Sequence, residues 1–265
     1  MITSPKNPRV KDVVRLRHGR HRSRQGRILI DGARELSRAI GAGVRLLEVF
    51  VCEELCTSDE ERGLLARLPD CNAERLHVSR QVFEKLAFGD RAEGLLGVAE
   101  TPQTTLDDIA LPENPLVVVL ERVEKPGNLG AVLRTADGAG VSAVVVADAA
   151  GDLYNPNAIR ASLGTIFTMP VCAAERAEVL AWLRRHQLSI VAARVDGSVP
   201  YTKPDYRGPT AFVLGSEAKG LSGAWTGNDI IAVRLPMLGA ADSLNVSATA
   251  AVLCYEALRQ RARQM

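Results

Sequence analysis

Leu116-Val-Val-Val-Leu120 is apolar at every position. A strand with no polar face must be covered on both sides, and the usual solution is a parallel sheet with helices packed on each face. The neighbouring pattern fits that constraint. Asn128–Ala139 reads as a helix, Ser142–Ala147 as a strand, Asn157–Leu163 as a helix, and Glu175–His186 as a helix carrying Leu180 and Leu183 on one face. Leu188–Ala193, Ala211–Leu214 and Ile230–Leu235 read as strands, and residues 246–262 as a long helix, apolar at first and basic toward Arg259, Arg261 and Arg263. Strands alternating with helices give an α/β fold whose ligand site lies beyond the C-terminal ends of the strands.

The N-terminal third forms a smaller α/β pattern of its own. Val10, Val13 and Val14 line one side of a helix with arginines opposite; Arg27–Ile30 reads as a strand, and Asp31 stands at an N-cap position before a helix reaching Ile40. Leu46–Cys52 and Arg75–Val78 read as strands, Ser58–Leu68 as a helix, Ser79 as the cap of another, and Leu95–Ala99 as a last strand. Residues 101–115 contain three prolines and no long apolar run, which reads as a linker. The predicted organisation is a domain at 1–100, a linker at 101–115 and a domain at 116–265, each of ordinary size.

Charge is unevenly spread. Residues 1–27 hold nine Lys/Arg against Asp12 alone, a local charge of +8, so a whole-chain charge of +2 leaves −6 for the rest. Arg9, Lys11, Arg15, Arg17, Arg20, Arg22 and Arg24 make this segment a footprint for a polyanion, with a merely solvated basic terminus as the plainer reading. Five cysteines, an odd number, do not suggest a disulfide framework. Cys52, Cys56, Cys71 and His77 fit no paired zinc-ligand spacing, so no metal is expected, and Cys52 reads as a buried thiol. No stretch approaches the ~20 apolar residues of a membrane helix. The N-terminus lacks a signal-type apolar core, and a cytoplasmic protein without membrane association is expected.

Two segments each follow an apolar strand and open a helix: Glu121-Arg-Val-Glu-Lys-Pro-Gly-Asn-Leu-Gly-Ala-Val-Leu-Arg134 and Pro236-Met-Leu-Gly-Ala-Ala-Asp-Ser-Leu-Asn-Val-Ser247. Such junctions expose backbone N–H groups and hold polar side chains at a sheet rim. Taken alone, Asn128, Ser243 and Asn245 could be helix caps, Glu217 a first-turn carboxylate, and Arg134 a surface arginine. Together with Leu214-Gly-Ser-Glu-Ala-Lys-Gly-Leu221, these segments closely resemble the three motifs of the SpoU/TrmH group of SPOUT RNA methyltransferases. A fourth segment, Tyr154–Gly164, fits the same group and places Arg160 and Ser162 near the site, the plainer reading of Arg160 being an exposed helical arginine.

The resemblance implies S-adenosylmethionine-dependent methylation of a ribose 2′-hydroxyl in RNA. It implies a trefoil knot in the last third of the chain, whose loops form the cofactor pocket, and a homodimer packed through the helix at 246–262; a helix buried within one subunit is the plainer reading. The N-terminal domain would bind substrate and resemble small RNA-binding ribosomal proteins. By motif match, Asn128, Arg134, Glu217, Ser243 and Asn245 are the catalytic candidates. Gly215, Leu235, Leu244, Ala193 and Met237 are the cofactor contacts. Arginine stays protonated in nearly all proteins, so Arg134 reads better as a clamp on phosphate and a developing alkoxide than as a general base. Large-subunit ribosomal RNA is the expected substrate, with transfer RNA and a catalytically inactive RNA-binding module as alternatives. A dinucleotide oxidoreductase fits poorly, because no Gly-x-Gly-x-x-Gly stands at a strand–helix junction.

Overall fold

The computed structural model describes residues 1–88 and 93–262; Arg263 lies outside them. Contacts divide the chain into two compact units, Met1–Pro102 with Tyr154–Thr168, and Gln103–Leu153 with Met169–Met265.

The first unit runs α1 (Pro8–Arg15), α2 (Gly19–Gln25), β1 (Arg27–Asp31), α3 (Ala33–Gly41), β2 (Leu46–Val51), α4 (Asp59–Arg67), β3 (Glu74–His77), α5 (Arg80–Leu86) and β4 (Leu95–Glu100). Its sheet has the order β1-β4-β2-β3, antiparallel except for the β2–β3 pair. Helix starts follow local chemistry. Asn7 accepts the Arg9 N–H with Pro8 in the first helical position, and Ser58 forms a capping box with Glu61. Val10, Val13 and Leu16 pack with Leu29, Phe50, Phe83 and Leu96 in one core.

Sequence patterning missed α2, whose Gly-Arg-His-Arg-Ser-Arg-Gln has no apolar stripe. Asp31 is not an N-cap: it ends β1, Gly32 (φ 114°) stands at the cap, and the Asp31 carboxylate accepts the Phe88 N–H at 2.5 Å. Ser79 occupies its expected cap position but makes no side-chain cap bond.

The second unit contains β5 (Leu116–Glu121), α6 (Pro126–Gly138) and β6 (Ala143–Ala147); the chain then supplies α7 (Pro156–Ala161) to the first unit. It continues through β7 (Val171–Ala174), α8 (Arg176–Arg185), β8 (Ser189–Ala193), β9 (Val199–Pro200), β10 (Thr210–Leu214), β11 (Ile230–Arg234) and α9 (Val246–Ala262). The seven strands are ordered β7-β6-β5-β10-β8-β11-β9 and every neighbouring pair is parallel. As the all-apolar run requires, β5 is buried along its whole length, and so is β10 beside it. The short β7 and β9 escaped the sequence reading because four and two residues carry too little pattern. Sequence placed Tyr154–Thr168 in the second domain; it groups with the first unit because Arg38 and Arg160 donate to carbonyls of Leu163 and Phe88, and Gly164 lies against the Glu35 backbone.

Candidate active site

β8, β10 and β11 end side by side, and the loops that follow them build a two-part cleft. One part, about 410 Å³, is lined by Ala193, Leu235, Pro236, Met237, Ser243 and Leu244 among others. The adjoining part, about 600 Å³, shares Ala193, Ser243 and Leu244 and adds Gly215, Glu217 and Asn245. Small-molecule sites usually occupy ~300–1,000 Å³. All five residues expected at the cofactor, Ala193, Gly215, Leu235, Met237 and Leu244, line one part or both.

At two glycines the walls bring backbone into close approach. A Cβ on Gly215 would overlap the Gly220 carbonyl, and one on Gly197 would strike the Val233 carbonyl and Arg234 nitrogen. Loop 215–221 is closed on itself by a Ser216–Gly220 bridge and a hydrogen bond from Lys219 N–H to Ser216 Oγ at 3.2 Å. Such a cleft, in which Leu235, Pro236, Met237 and Leu244 stand beside a few polar side chains, suits a flat heterocycle with polar edges, and so fits the adenosine part of S-adenosylmethionine.

At the rim, four of the five catalytic candidates gather. Asn128 lies in the first turn of α6, three residues after the cap Lys125, and so is not itself the cap. Its Nδ2 donates to Glu217 Oε1, and its Oδ1 accepts Asn245 Nδ2 at 3.3 Å. Asn245 Oδ1 accepts the Ser247 N–H and hydroxyl at 2.9 and 2.6 Å, so this residue also fills the role of a cap at the start of α9. Ser243 lines the cleft beside Glu217 and Asn245, and makes no capping bond among the described residues. Arg134 stands apart. It is exposed on α6, with no hydrogen bond or ion pair among the described residues, and it lines neither part of the cleft.

The basic N-terminal residues divide by environment. Arg22 is 2% exposed and donates to the Leu16 carbonyl at 2.6 Å, so it serves the fold and is not offered to a polyanion. Arg17 is likewise committed, donating to the Lys85 and Ala87 carbonyls at 2.7 and 2.6 Å. Arg160 donates to the Phe88 carbonyl, and Arg9 pairs with Glu74 at 2.6 Å. Lys11 and Arg15 on α1, and Arg20 and Arg24 on α2, are exposed, each pair spaced four residues apart and thus on one helix face. The same unit holds a half-buried acidic group, Asp31. Burial pushes Asp31 up to about 6, with Glu93 and Glu35 adding to the rise against the Phe88 N–H and Arg160. Cys52 and Cys56 are buried thiols, and no group of three or more potential metal ligands exists among the described residues.

Sequence reading did not single out Arg194, Lys219, Asp242 or Thr249, which also line the cleft. Arg194 was accessible to the rule that ligands sit at strand C-termini, since it follows β8 directly. Its guanidinium grips Asp196 at 2.8 and 2.9 Å, which holds that carboxyl below its usual range.

A parallel sheet with a cleft at its strand ends and a hydrogen-bonded polar rim defines a small-molecule-binding α/β protein. Residues 115–255 match the SpoU rRNA Methylase family, and residues 7–97 match an MRM3-like substrate binding domain. The 23S rRNA (uridine(2479)-2′-O)-methyltransferase of Streptomyces viridochromogenes is 31% identical over 247 residues, covering 91% of this chain and 85% of that protein. A crystal structure of an RNA 2′-O ribose methyltransferase is 44% identical and superposes with a TM-score of 0.86 over 98% of this chain and 99% of its own. The AdoMet-bound rRNA methyltransferase of Sinorhizobium meliloti is 28% identical, with a TM-score of 0.88 over 97% of each chain. This chain belongs to the SpoU rRNA methylase family, and its fold is that of the SpoU methyltransferases.

Proposed function

We propose that this chain methylates a ribose 2′-hydroxyl of large-subunit ribosomal RNA, using S-adenosylmethionine. The observation that carries the reading is the hydrogen-bonded series Glu217–Asn128–Asn245 on the rim of the two-part cleft. Ala193, Gly215, Leu235, Met237 and Leu244 would hold the cofactor, which when bound supplies an electrophilic methyl group on a sulfonium. In-line displacement breaks the sulfonium–methyl bond as the ribose oxygen–methyl bond forms, leaves a neutral thioether, and depends on orienting the ribose oxygen and on releasing its proton to water. Glu217, Asn128 and Asn245 hold one another in fixed orientations, and Ser243 faces the same space; together they orient the ribose. Arg134, which donates to none of the described residues, keeps its guanidinium for a ligand, and clamps the RNA phosphate and the alkoxide charge that develops as the proton leaves.

Lys11, Arg15, Arg20 and Arg24 contact RNA phosphates in this reading, and the first unit acts as the substrate-binding domain. The 23S rRNA specificity in the name of the Streptomyces viridochromogenes relative supports ribosomal over transfer RNA. The close backbone crossings at Gly197 and Gly215 are where we place the trefoil knot. A homodimer would form through α9, whose Tyr255 is 51% exposed, and the fully exposed Leu238 nearby in sequence. Among the described residues no helix is long and apolar enough to cross a membrane. Digesting treated ribosomal RNA to nucleosides tests the chemistry: a 2′-O-methylated nucleoside supports it, and a base-methylated product or none contradicts it.

A further inference from the structure

The first and second motifs are joined not only at the rim but also at their base. Glu121 ends β5 and is 1% exposed. Its Oε2 accepts the Ser222 N–H at 2.7 Å and its Oε1 accepts the Ser222 hydroxyl at 2.6 Å. Arg176, at the start of α8, donates to the same Oε1 at 3.4 Å and to Ser222 Oγ at 3.2 Å. Asp148, just beyond β6, fixes Arg176 in turn, accepting its backbone N–H at 2.9 Å and lying 3.4 Å from its guanidinium. A carboxylate this deeply buried is costly unless fully partnered, and here donors from two other segments converge on it.

Ser222 closes the loop that begins at Gly215 and carries Glu217. That loop is stiff, because its backbone is packed on itself at Gly215 and Gly220. A displacement at Ser222 is therefore passed on to Glu217 rather than absorbed. On the other side, Arg122 follows Glu121 with φ 53°, a left-handed turn that directs the chain toward α6 and Asn128. We infer that Glu121 is a positioning residue for the proposed reaction: through Ser222 it fixes loop 215–222, and so sets Glu217 against Asn128 and shapes the cleft wall. This rests on the methyltransferase reading for its consequence in turnover, but not for the tether itself.

The test uses the full chain and three variants, Glu121→Gln, Ser222→Ala and Ser222→Thr, with the Glu121→Gln/Ser222→Ala double variant. Displacements of ~1 Å at a reacting centre can cost on the order of a hundredfold in rate. Glu121→Gln and Ser222→Ala are each expected to lower kcat by about tenfold to a hundredfold, the double variant to be no worse than the weaker single, and Ser222→Thr, which keeps the hydroxyl, to recover most of the turnover. Independently of activity, hydrogen exchange of the 215–222 amides should accelerate at least tenfold in Glu121→Gln while β5 and β10 stay protected. Additive losses in the double variant, or unchanged exchange in loop 215–222, overturn the inference. Accelerated exchange throughout the sheet also overturns it, since Glu121 would then be a general stabiliser. Should the unaltered chain methylate no RNA, the methyltransferase reading fails, and the exchange result alone decides the tether.

Discussion

Arg134 carries the sharpest expectation attached to a single side chain. It lies on α6 with its guanidinium free of protein partners among the described residues, while Asn128 on the same helix is bound into the rim. Arg134→Ala should lower turnover by ~10²-fold or more, leaving cofactor affinity within about twofold, because the residue lines no part of the cleft. Steady-state kinetics with a parallel cofactor titration separates the two effects; near-normal turnover removes Arg134 from the mechanism. Asp31 makes a prediction of a different kind. Burial raises its carboxyl from 3.8 to about 6 in the folded protein, so the folded state holds a proton that the unfolded chain has released. Its contribution to stability is therefore full below pH 3.8 and is lost as pH rises through about 6. Asp31→Asn should lack that loss. The denaturation midpoint of the variant, relative to the unaltered chain, should rise between pH 4 and pH 7 as the linkage sign requires, and a pH-independent difference would show that Asp31 is not the group responsible.

At the level of elements, loop 215–221 shows what sequence can and cannot convey. Gly215 was legible as a cofactor contact, by its place in a motif that directly follows an apolar strand. What it approaches, the backbone at Gly220 and Leu221, follows from a return of the chain that no periodicity reports. Gly215→Ala should therefore weaken cofactor binding more than tenfold while the seven-stranded sheet survives, on the grounds that backbone must shift to admit a Cβ. Equilibrium binding beside thermal unfolding reads both quantities, and unaltered affinity would contradict the cradle assigned to this loop. The long, strongly patterned strands and helices came through the sequence within one to three residues at most ends, since burial on both faces and helical spacing leave few alternatives. Asn128, Glu217 and Asn245 were visible as motif members, but not as one hydrogen-bonded series, because they lie 89 and 117 residues apart along its two links. Glu121 stood at the head of the first motif, directly after the apolar strand. Its tie to Ser222 spans 101 residues, a distance over which local pattern carries no information.

For the molecule as a whole, net charge overstates how much of the basic N-terminus is left without protein partners, since Arg17 and Arg22 donate to carbonyls. Net charge over residues 1–27 marks a polyanion footprint, yet charge counting cannot separate an arginine spent on carbonyls from one left in water. Arg22→Ala should destabilise the first unit by ~1.5–3 kcal/mol, the usual worth of a buried charged hydrogen bond. Replacing Lys11, Arg15, Arg20 and Arg24 together by Ala should instead leave unfolding nearly unchanged and reduce the slope of log affinity against log salt by roughly three, at ~0.7–0.9 for each phosphate that is no longer neutralised. An unchanged slope would move the RNA surface elsewhere. The central claim is methyl transfer to ribosomal RNA, and the most direct measurement is incorporation from labelled S-adenosylmethionine into separate pools of unmodified large-subunit ribosomal RNA and transfer RNA. Label in the ribosomal pool, recovered in a ribose-methylated nucleoside and incorporated ~10²-fold or more slowly with Arg134→Ala, is the predicted result. Label confined to transfer RNA, or none in either pool despite measurable cofactor binding, would contradict it.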